Sequence, residues 1–593
     1  MNQRHNLPGL FMAAIRRRPR QKLLGAKQGD QWRWWSSQEA LLAIRETAAG
    51  LIAVGLKPGD RVALLSENRP EWLISDMAVL FAAGVDVPVY PTLPPYQVAF
   101  LLRDSEARFV VVSNGDQARK VLSKRAELPR LEQIYCLDGA VEGTVPASEL
   151  RVRGRQRLAD YPGDLEERLA ELGPDSLATI IYTSGTMGTP KGAMLTHGNF
   201  CFDVSACIDW FGFEEGNTAL SFLPLSHVLE RMVNYAYLEI GLQVAYLKGP
   251  EQLRDALTDV RPHVFVAVPK VLEIMAARVK DAIEKKTGVA RLVAETAMRW
   301  AAETAEDRIR GRRPSALRGL RLMLADKVVL ARLRERLGGR LRFVISGGAA
   351  LAPDIERFYW SAGIPVFEGY GMTETSPVIA VAHEGEARLG SVGKPLPGVD
   401  VRIAADGEIL VRGPNVMTGY WKRPVETEQS LVEGWLRTGD TGRLDADGFL
   451  YVTGRKKEIL VLSTGKNVAP RAVEESLEKS PYIERVIAVG DERPAVGVLI
   501  VPNTDRVLAW AAERNLPKRD LPGLLSSREV RRLYEGEIHR LQDKLAAFEK
   551  ARRFEFLLDE PSEANGLLTP TQKVRRHEVL RRYSKLVERM YNK

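Results

Sequence analysis

Disulfides cannot hold this 593-residue chain together, because it has three cysteines, Cys136, Cys201 and Cys207. Their spacing fits neither a metal site nor a CxxC redox pair, which leaves them as small buried hydrophobes in a reducing cytoplasm. The chain also lacks an apolar run long enough to span a bilayer. Its longest candidate, MAVLFAAGVDVPVYP from Met77, is broken by Asp86 and Pro88 and reads as a buried helix and strand. No secretory signal is expected, since the apolar stretch LPGLFMAAI precedes the basic cluster Arg16, Arg17, Arg18 and Arg20 instead of following one. Internal repeats, low-complexity linkers and nucleic-acid-binding signatures are missing too. The formal charge of +9 therefore points to small anionic partners and not to DNA or RNA.

What is present is a globular composition, 45% hydrophobic, in a chain too long for one core. A large domain of several subdomains plus a smaller one is the expectation. Basic residues gather at the ends: from Lys573 to Lys593 eight Lys or Arg accompany Glu578 and Glu588. Such a tail is either a solvated helix face or a surface for an anionic bilayer. The matching location is the cytoplasm, with peripheral contact on the inner membrane face as the alternative, and an oligomer is compatible with either.

Along the chain, Ser36-Ser37-Gln38-Glu39 has the form of a capping box, and the helix after it puts Leu41, Ile44, Ala48, Leu51 and Ile52 on one face before Gly55. RVALLS, VDVPVY, ARFVVVS and QIYCL then alternate with helical stretches, the pattern of βαβ units around a parallel sheet. A second alternating set runs from Ala178 through LQVAYL, HVFVAVP and RFVISGG, and a long charged helical region lies between Leu272 and Gly339. From Gly390 to Thr453 the period becomes that of strands, with turns at Asp406-Gly407 and Asp447-Gly448, which predicts an antiparallel, barrel-like piece. A charged α/β segment follows Arg455.

Tyr182 to Gly192 reads YTSGTMGTPKG, directly after the apolar run SLATII. A strand feeding such a loop makes a phosphate cradle: backbone N–H groups form an anion nest, the hydroxyls of Thr183, Ser184 and Thr186 add donors around Gly185, and Lys191 adds a full charge. It is not a Walker A loop. A proline stands where that loop needs its second glycine, and Gly192 where it needs the magnesium-binding hydroxyl. Taken alone, a solvated Gly/Thr turn accounts for the loop equally well. Further along come SGGAAL from Ser346, FEGYGMTETSP from Phe367, GEILVRGPNVMTGYW, WLRTGDTGRL, VTGRKKEILVLSTGKNVAP from Val452 and NGLLTPTQKVRR.

In this order, TSGTxGxPKG and its companions resemble the adenylate-forming superfamily of acyl-CoA synthetases, luciferases and peptide-synthetase adenylation domains. LSFLPLSHVLERM from Leu220, YPTLPPYQVAFLLRDSEA, LLTPTQKVRR and the long helical insertion are most similar to the long-chain fatty acid CoA ligases. The resemblance implies a fold: an α/β protein whose large N-terminal domain, residues 1–454, holds two doubly wound subdomains and a distorted β-barrel, with a small mobile α+β domain at 455–593. It also implies roles. Tyr370 would stack on adenine beside the Gly348 and Ala349 loop, Thr373 would touch the α-phosphate and Glu374 would help hold magnesium. Asp440 would accept both ribose hydroxyls, Arg455 would meet the ribose, Lys457 would be the hinge and Lys573 the catalytic lysine. His227 would sit at the mouth of the acyl channel, near the substrate carboxylate.

The implied substrates and cofactors are a fatty acid, ATP, Mg2+ and CoA, and the implied chemistry is formation of acyl-AMP followed by transfer to CoA. No cysteine nucleophile is needed. Met187 departs from the phosphate loop's usual threonine, and Thr464 from the first of two glycines beside the pantetheine path. Two other readings remain: an acyl-AMP ligase that loads a carrier protein, and a non-catalytic acyl or nucleotide sensor. The first usually carries an insertion after the hinge, which is not evident between Arg455 and Val473, and the second sits badly with Glu374, Asp440, Arg455 and Lys573 all being in place. Acyl chain length is not legible.

Overall fold

The computed structural model describes residues 6–183, 189–211, 213–517, 520–543, 545–563, 565–569 and 573–592; of Lys457 it describes the backbone. The helix expected after Ser36 forms as α1 (Ser37–Ala53). Ser36 Oγ accepts from the Glu39 N–H and the Glu39 carboxylate accepts from the Ser36 N–H, so two otherwise orphaned amides are satisfied reciprocally. Its inner face packs on α2 (Pro70–Phe81) beside β1 (Arg61–Leu65) and β2 (Val85–Val89). The apolar run at Met77 is thus the end of α2 and the whole of β2, every residue of which is buried, as in a parallel strand covered on both faces. All three cysteines are buried and free.

This first sheet has eight strands. Its centre is parallel, and it gains an antiparallel edge where β3 (Leu177–Thr183) turns back as β4 (Lys191–Thr196) and Gly419–Tyr420 pairs beyond it. The second sheet has nine strands, parallel in the middle and antiparallel at both ends. Between the two sheets lies α3 (Val228–Ile240), nearly all of it buried. Arg231 on α3 is fully buried and bonds Asp76, Tyr235 and Thr179, with Asp86 3.2 Å away. Burial pushes both carboxyls upward, Asp86 to about 8, so one carboxylate balances one guanidinium at neutral pH. A buried cation left unpaired is very costly, and this cluster accordingly fixes where α3 stands against the first sheet.

The long charged region is helical, as expected: α4 (Pro269–Glu284), α5 (Gly288–Ile309) and α6 (Ala316–Ala325) precede β5 (Phe343–Ser346) and β6 (Val366–Gly371). The antiparallel piece follows as a five-stranded sheet built on β7 (Glu408–Arg412), β8 (Trp435–Leu444) and β9 (Leu450–Arg455), with turns at both predicted Asp-Gly pairs. The last part of the chain has its own core around a sheet of β10 (Ile483–Val489), β11 (Gly497–Pro502) and β12 (Arg553–Phe556). The basic tail ends in α7 (Ser584–Asn592), whose Met590 is buried against this sheet. Ion pairs tie α4 to that last part, from Lys270 to Glu484 at 2.8 Å and from Asp281 to Arg506 at 2.6 Å. Among the described residues no helix is long and apolar enough to cross a membrane.

Candidate active site

A cavity of about 4000 Å³ opens where the two sheets, the antiparallel piece and the last part of the chain meet. Thr183, Lys191, His227, Gly348, Ala349, Tyr370, Thr373, Glu374, Asp440, Arg455 and Lys573 all line it. These residues are spread over nearly four hundred positions of sequence, and only the fold brings them together.

The hairpin of β3 and β4 sets Thr183 directly across from Lys191 at the end where the connecting loop begins. Ser184, Gly185 and Thr186, with Met187, lie outside the described residues. The Lys191 ammonium stands 5.3 Å from the centre of the Tyr420 ring, and the Tyr420 hydroxyl donates to Glu374 Oε1 at 2.8 Å. Tyr420 reaches this place because Gly419–Tyr420 pairs onto the edge of β4. Glu374 itself is buried, and burial raises its carboxyl pKa above the usual range while the Tyr420 hydrogen bond opposes that shift. One of its oxygens is thereby committed and the other is left for a ligand. Among the described residues no group of three or more His, Cys, Asp or Glu side chains could cage a metal. A lone carboxylate on the wall of a cavity that also holds Lys191 suits Mg2+, which takes one or two protein carboxylates and fills its octahedron with water and substrate phosphate.

β6 runs into the turn Thr373–Thr375 and presents Glu368 and Tyr370 on the same side, as the two-residue period of a strand requires. Gly371 lets this happen: a Cβ there would lie 1.8 Å from the Pro377 carbonyl oxygen. The Tyr370 hydroxyl donates to Asp440 Oδ2 at 2.7 Å, and Arg455 Nε lies 3.3 Å from Asp440 Oδ1. That contact follows from register, since Asp440 on β8 pairs directly with Arg455 on β9. Gly348, at φ +83°, and Ala349 follow β5 and line the same cavity as Tyr370. Glu368 was not singled out by sequence. One of its oxygens accepts from the Leu351 N–H, the other is buried without a partner among the described residues, and burial pushes the acid up to about 8. It is therefore mostly protonated at neutral pH and can donate as well as accept. The signal that would have found it is its place two residues before Tyr370.

His227 is the N-cap of α3, where its Nδ1 accepts from the Leu229 N–H at 3.2 Å. Burial, with Lys573 nearby, lowers its pKa to about 4, so at neutral pH the ring is uncharged and carries its proton on Nε2. The Lys573 N–H donates to Thr569 Oγ1 at 3.0 Å. Lys573 lines the cavity but remains exposed to solvent, and partial desolvation there, reinforced by Arg455, lowers its ammonium pKa to about 8. Lys457 follows β9 by two residues. Its neighbour Lys456, which sequence reading passed over, bonds Asp406 at 2.6 Å and the buried Glu408 at 3.0 Å, and Arg437 shares Glu408. Thr464 does not join the cavity and is exposed in the turn between Leu460–Val461 and Asn467–Val468.

Comparison with known proteins agrees with this architecture. The sequence model of the AMP-binding enzyme family matches residues 11–421, and that of the AMP-binding enzyme C-terminal domain matches 457–593. The long-chain-fatty-acid–CoA ligase FadD15 of Mycobacterium bovis is 35% identical over 95% of this chain and 93% of its own. The peroxisomal long chain acyl-CoA synthetase 6 of Arabidopsis thaliana is 31% identical over 95% of this chain and 82% of its own. Among solved structures, the anthranilate CoA ligase AuaEII in complex with anthranoyl-AMP superposes with a TM-score of 0.74 at 19% identity, covering 99% of each chain. A Mycobacterium tuberculosis fatty acyl CoA synthetase gives 0.62 at 21% identity, over 98% of this chain and 99% of the other. With the two family models together matching most of the chain and relatives above 30% identity along nearly its whole length, the chain belongs to the AMP-binding, adenylate-forming enzymes.

Proposed function

We propose that the protein is an AMP-forming long-chain fatty acid CoA ligase, which makes acyl-AMP and pyrophosphate from a fatty acid and ATP and then passes the acyl group to CoA. The observation that carries this reading is the convergence of Lys573, from the far end of the chain, on the cavity that holds Lys191, His227, Glu374 and the Tyr370–Asp440–Arg455 cluster.

A carboxylate is a poor electrophile, and joining it to AMP supplies a leaving group. In the first half-reaction the carboxylate oxygen attacks the α-phosphorus and pyrophosphate departs. Lys573 and Thr373 would stabilise the charge that gathers on the α-phosphate, and Lys191 with the loop beginning at Thr183 would receive the pyrophosphate. The neutral His227 would donate from Nε2 to an oxygen of the incoming acid. Tyr370 would stack on the adenine, and Asp440, already held by Tyr370 and Arg455, would accept from the ribose. Mg2+, held by Glu374 and phosphate oxygens, would add further neutralisation there. In the second half-reaction the CoA thiolate attacks the acyl carbonyl, a C–S bond forms and AMP leaves. The proposed boundary between the two domains is 454/455, with Lys457 as the pivot. Lys456 supports that placement, because its bonds to Asp406 and Glu408 anchor the chain up to the residue before the pivot.

Mixing enzyme with palmitate, ATP and magnesium but no CoA, then quenching, should trap enzyme-bound palmitoyl-AMP with one pyrophosphate per site, and later addition of CoA should convert it to palmitoyl-CoA and AMP. Formation of ADP, or no acyl-AMP at all, would reject the reading. Two further results are expected. Glu374→Gln should raise the half-saturating magnesium concentration by roughly tenfold to a hundredfold, the scale for weakening a metal's protein support, and an unchanged magnesium titration would remove Glu374 from that role. The second concerns pH. A lysine with its pKa lowered to about 8 loses its charge as pH rises through that value. The kcat/KM of adenylation, which reports the free enzyme, should therefore fall on the alkaline side of about pH 8, and Lys573→Arg should move that limb upward. A limb that stays put in the arginine variant would belong to another group.

A further inference from the structure

We propose that the outer face of the α5–α6 helix pair docks the protein on an anionic phospholipid surface. Leu317, Leu320, Met323, Leu324 and Val328 are each between 46% and 62% exposed, and Leu317, Leu320, Leu324 and Val328 fall at helical spacing on one stripe. Val289 and Leu292, in the first turns of α5, are 76% and 63% exposed. These side chains are not spare core residues. The pair has a separate inner side, where Ala325 at the end of α6 and Leu330 in the helical segment that continues it pack with Ala297 and Ala301 of α5, and it is further held antiparallel by Arg318–Asp307 and Arg321–Glu303. A large apolar stripe left outside a satisfied interface marks a contact surface.

The charge around the stripe names the occupant. From Arg310 to Arg336 there are nine Lys or Arg and only two acids, Asp326 and Glu335. Arg312, Arg313, Lys327 and Arg332 are exposed, with no carboxylate partner among the described residues. A helix with leucines on one side and unpaired cations at its margins is suited to lie in the interface of an anionic bilayer, its apolar face among the acyl chains and its cations at the headgroups. A second copy of the chain is disfavoured because two such positive faces would repel across a symmetric contact. The basic tail is the weaker surface: α7 has already placed Met590 against the C-terminal sheet, and Glu588 pairs with Arg493. Both stems of the insertion, at Glu284 and Lys285 and at Arg336 and Leu337, line the large cavity. Docking by this face would hold the cavity near the phase into which a long-chain acid partitions, a consequence that rests on the fatty-acid reading although the binding itself does not.

Co-sedimentation of the full chain with phosphatidylcholine vesicles, with and without one third phosphatidylglycerol, tests this. The wild type should bind the anionic vesicles and not the neutral ones. Leu317→Ser/Leu320→Ser/Leu324→Ser should weaken binding by about tenfold or more, since each leucine gives up apolar burial. Arg312→Glu/Arg313→Glu should do the same without touching the apolar stripe, and it decides the matter if the triple variant melts early. Lys585→Glu/Arg589→Glu in the tail should bind like wild type. The proposal is overturned if the wild type ignores anionic vesicles, if the α6 variants bind as it does, if the tail variant alone loses binding, or if the wild type is a dimer that the triple variant converts to monomer.

Discussion

Replacing Lys573 by alanine is expected to slow acyl-adenylate formation by about a hundredfold to a thousandfold, the range for removing one preorganised donor from a developing anion. The lysine's backbone exchanges hydrogen bonds with Thr569, and the residue lines a cavity that also holds His227, Arg455 and Asp440. Its charge acts there beside Arg455, whose like charge adds to the effect of the cavity walls in lowering the pKa, although the residue itself stays open to solvent on the cavity wall. Thioester formation from supplied acyl-AMP should be nearly untouched, since the bond to the α-phosphorus has by then been made. Rapid-quench measurement of the two half-reactions distinguishes a role in the first from a general role. Equal loss in both would place Lys573 outside the adenylation step.

Lys457→Pro should do the reverse, leaving adenylation close to wild type and lowering thioester formation by orders of magnitude. The orientation seen here has Lys573 on the cavity wall and Thr464 exposed on the outside, which matches the adenylation role proposed for Lys573. To present another face to the same cavity the C-terminal domain must turn, and a few backbone torsions must absorb the turn. Lys456 is tied down by Asp406 and Glu408 and cannot supply them without breaking those bonds. A proline at 457 fixes φ near −65° and restricts residue 456 as well. The Lys270–Glu484 and Asp281–Arg506 pairs that the turn must break are exposed, and such pairs are worth roughly 0.2–1 kcal/mol each, too little to lock the domain by themselves. Wild-type acyl-CoA synthesis by a folded Lys457→Pro protein would show that the pivot lies elsewhere.

What the sequence disclosed, it disclosed where function is contiguous. The capping box at Ser36, the strand leading into the glycine-rich loop at Thr183, the Tyr370–Glu374 stretch and the Asp440 and Arg455 elements are each written in a few adjacent residues, and two Asp-Gly pairs marked turns of the antiparallel sheet, whereas the return of the chain as β4 was not foreseen. What stayed hidden depends on partners far apart in sequence. Tyr420 reaches Glu374 across 46 residues, Lys456 reaches Glu408 across 48, and Arg231 finds Asp76 at a separation of 155. None of these pairings has a local pattern, because each is set by which helices, strands and turns the fold makes neighbours. The exposed stripe on α6 was invisible for a related reason: apolar residues at helical spacing look the same whether they face a core or the solvent, and only packing separates the two.

The most direct test of the account is pyrophosphate release measured across straight-chain acids from C2 to C20, with CoA present and with CoA absent. A fatty acid CoA ligase predicts acid-dependent release that is strongest for long chains, limited to about one turnover without CoA and continuous with it, with AMP and acyl-CoA formed in equal amounts. Release that is indifferent to CoA, or that needs a carrier protein to turn over, or that no fatty acid elicits, would contradict it.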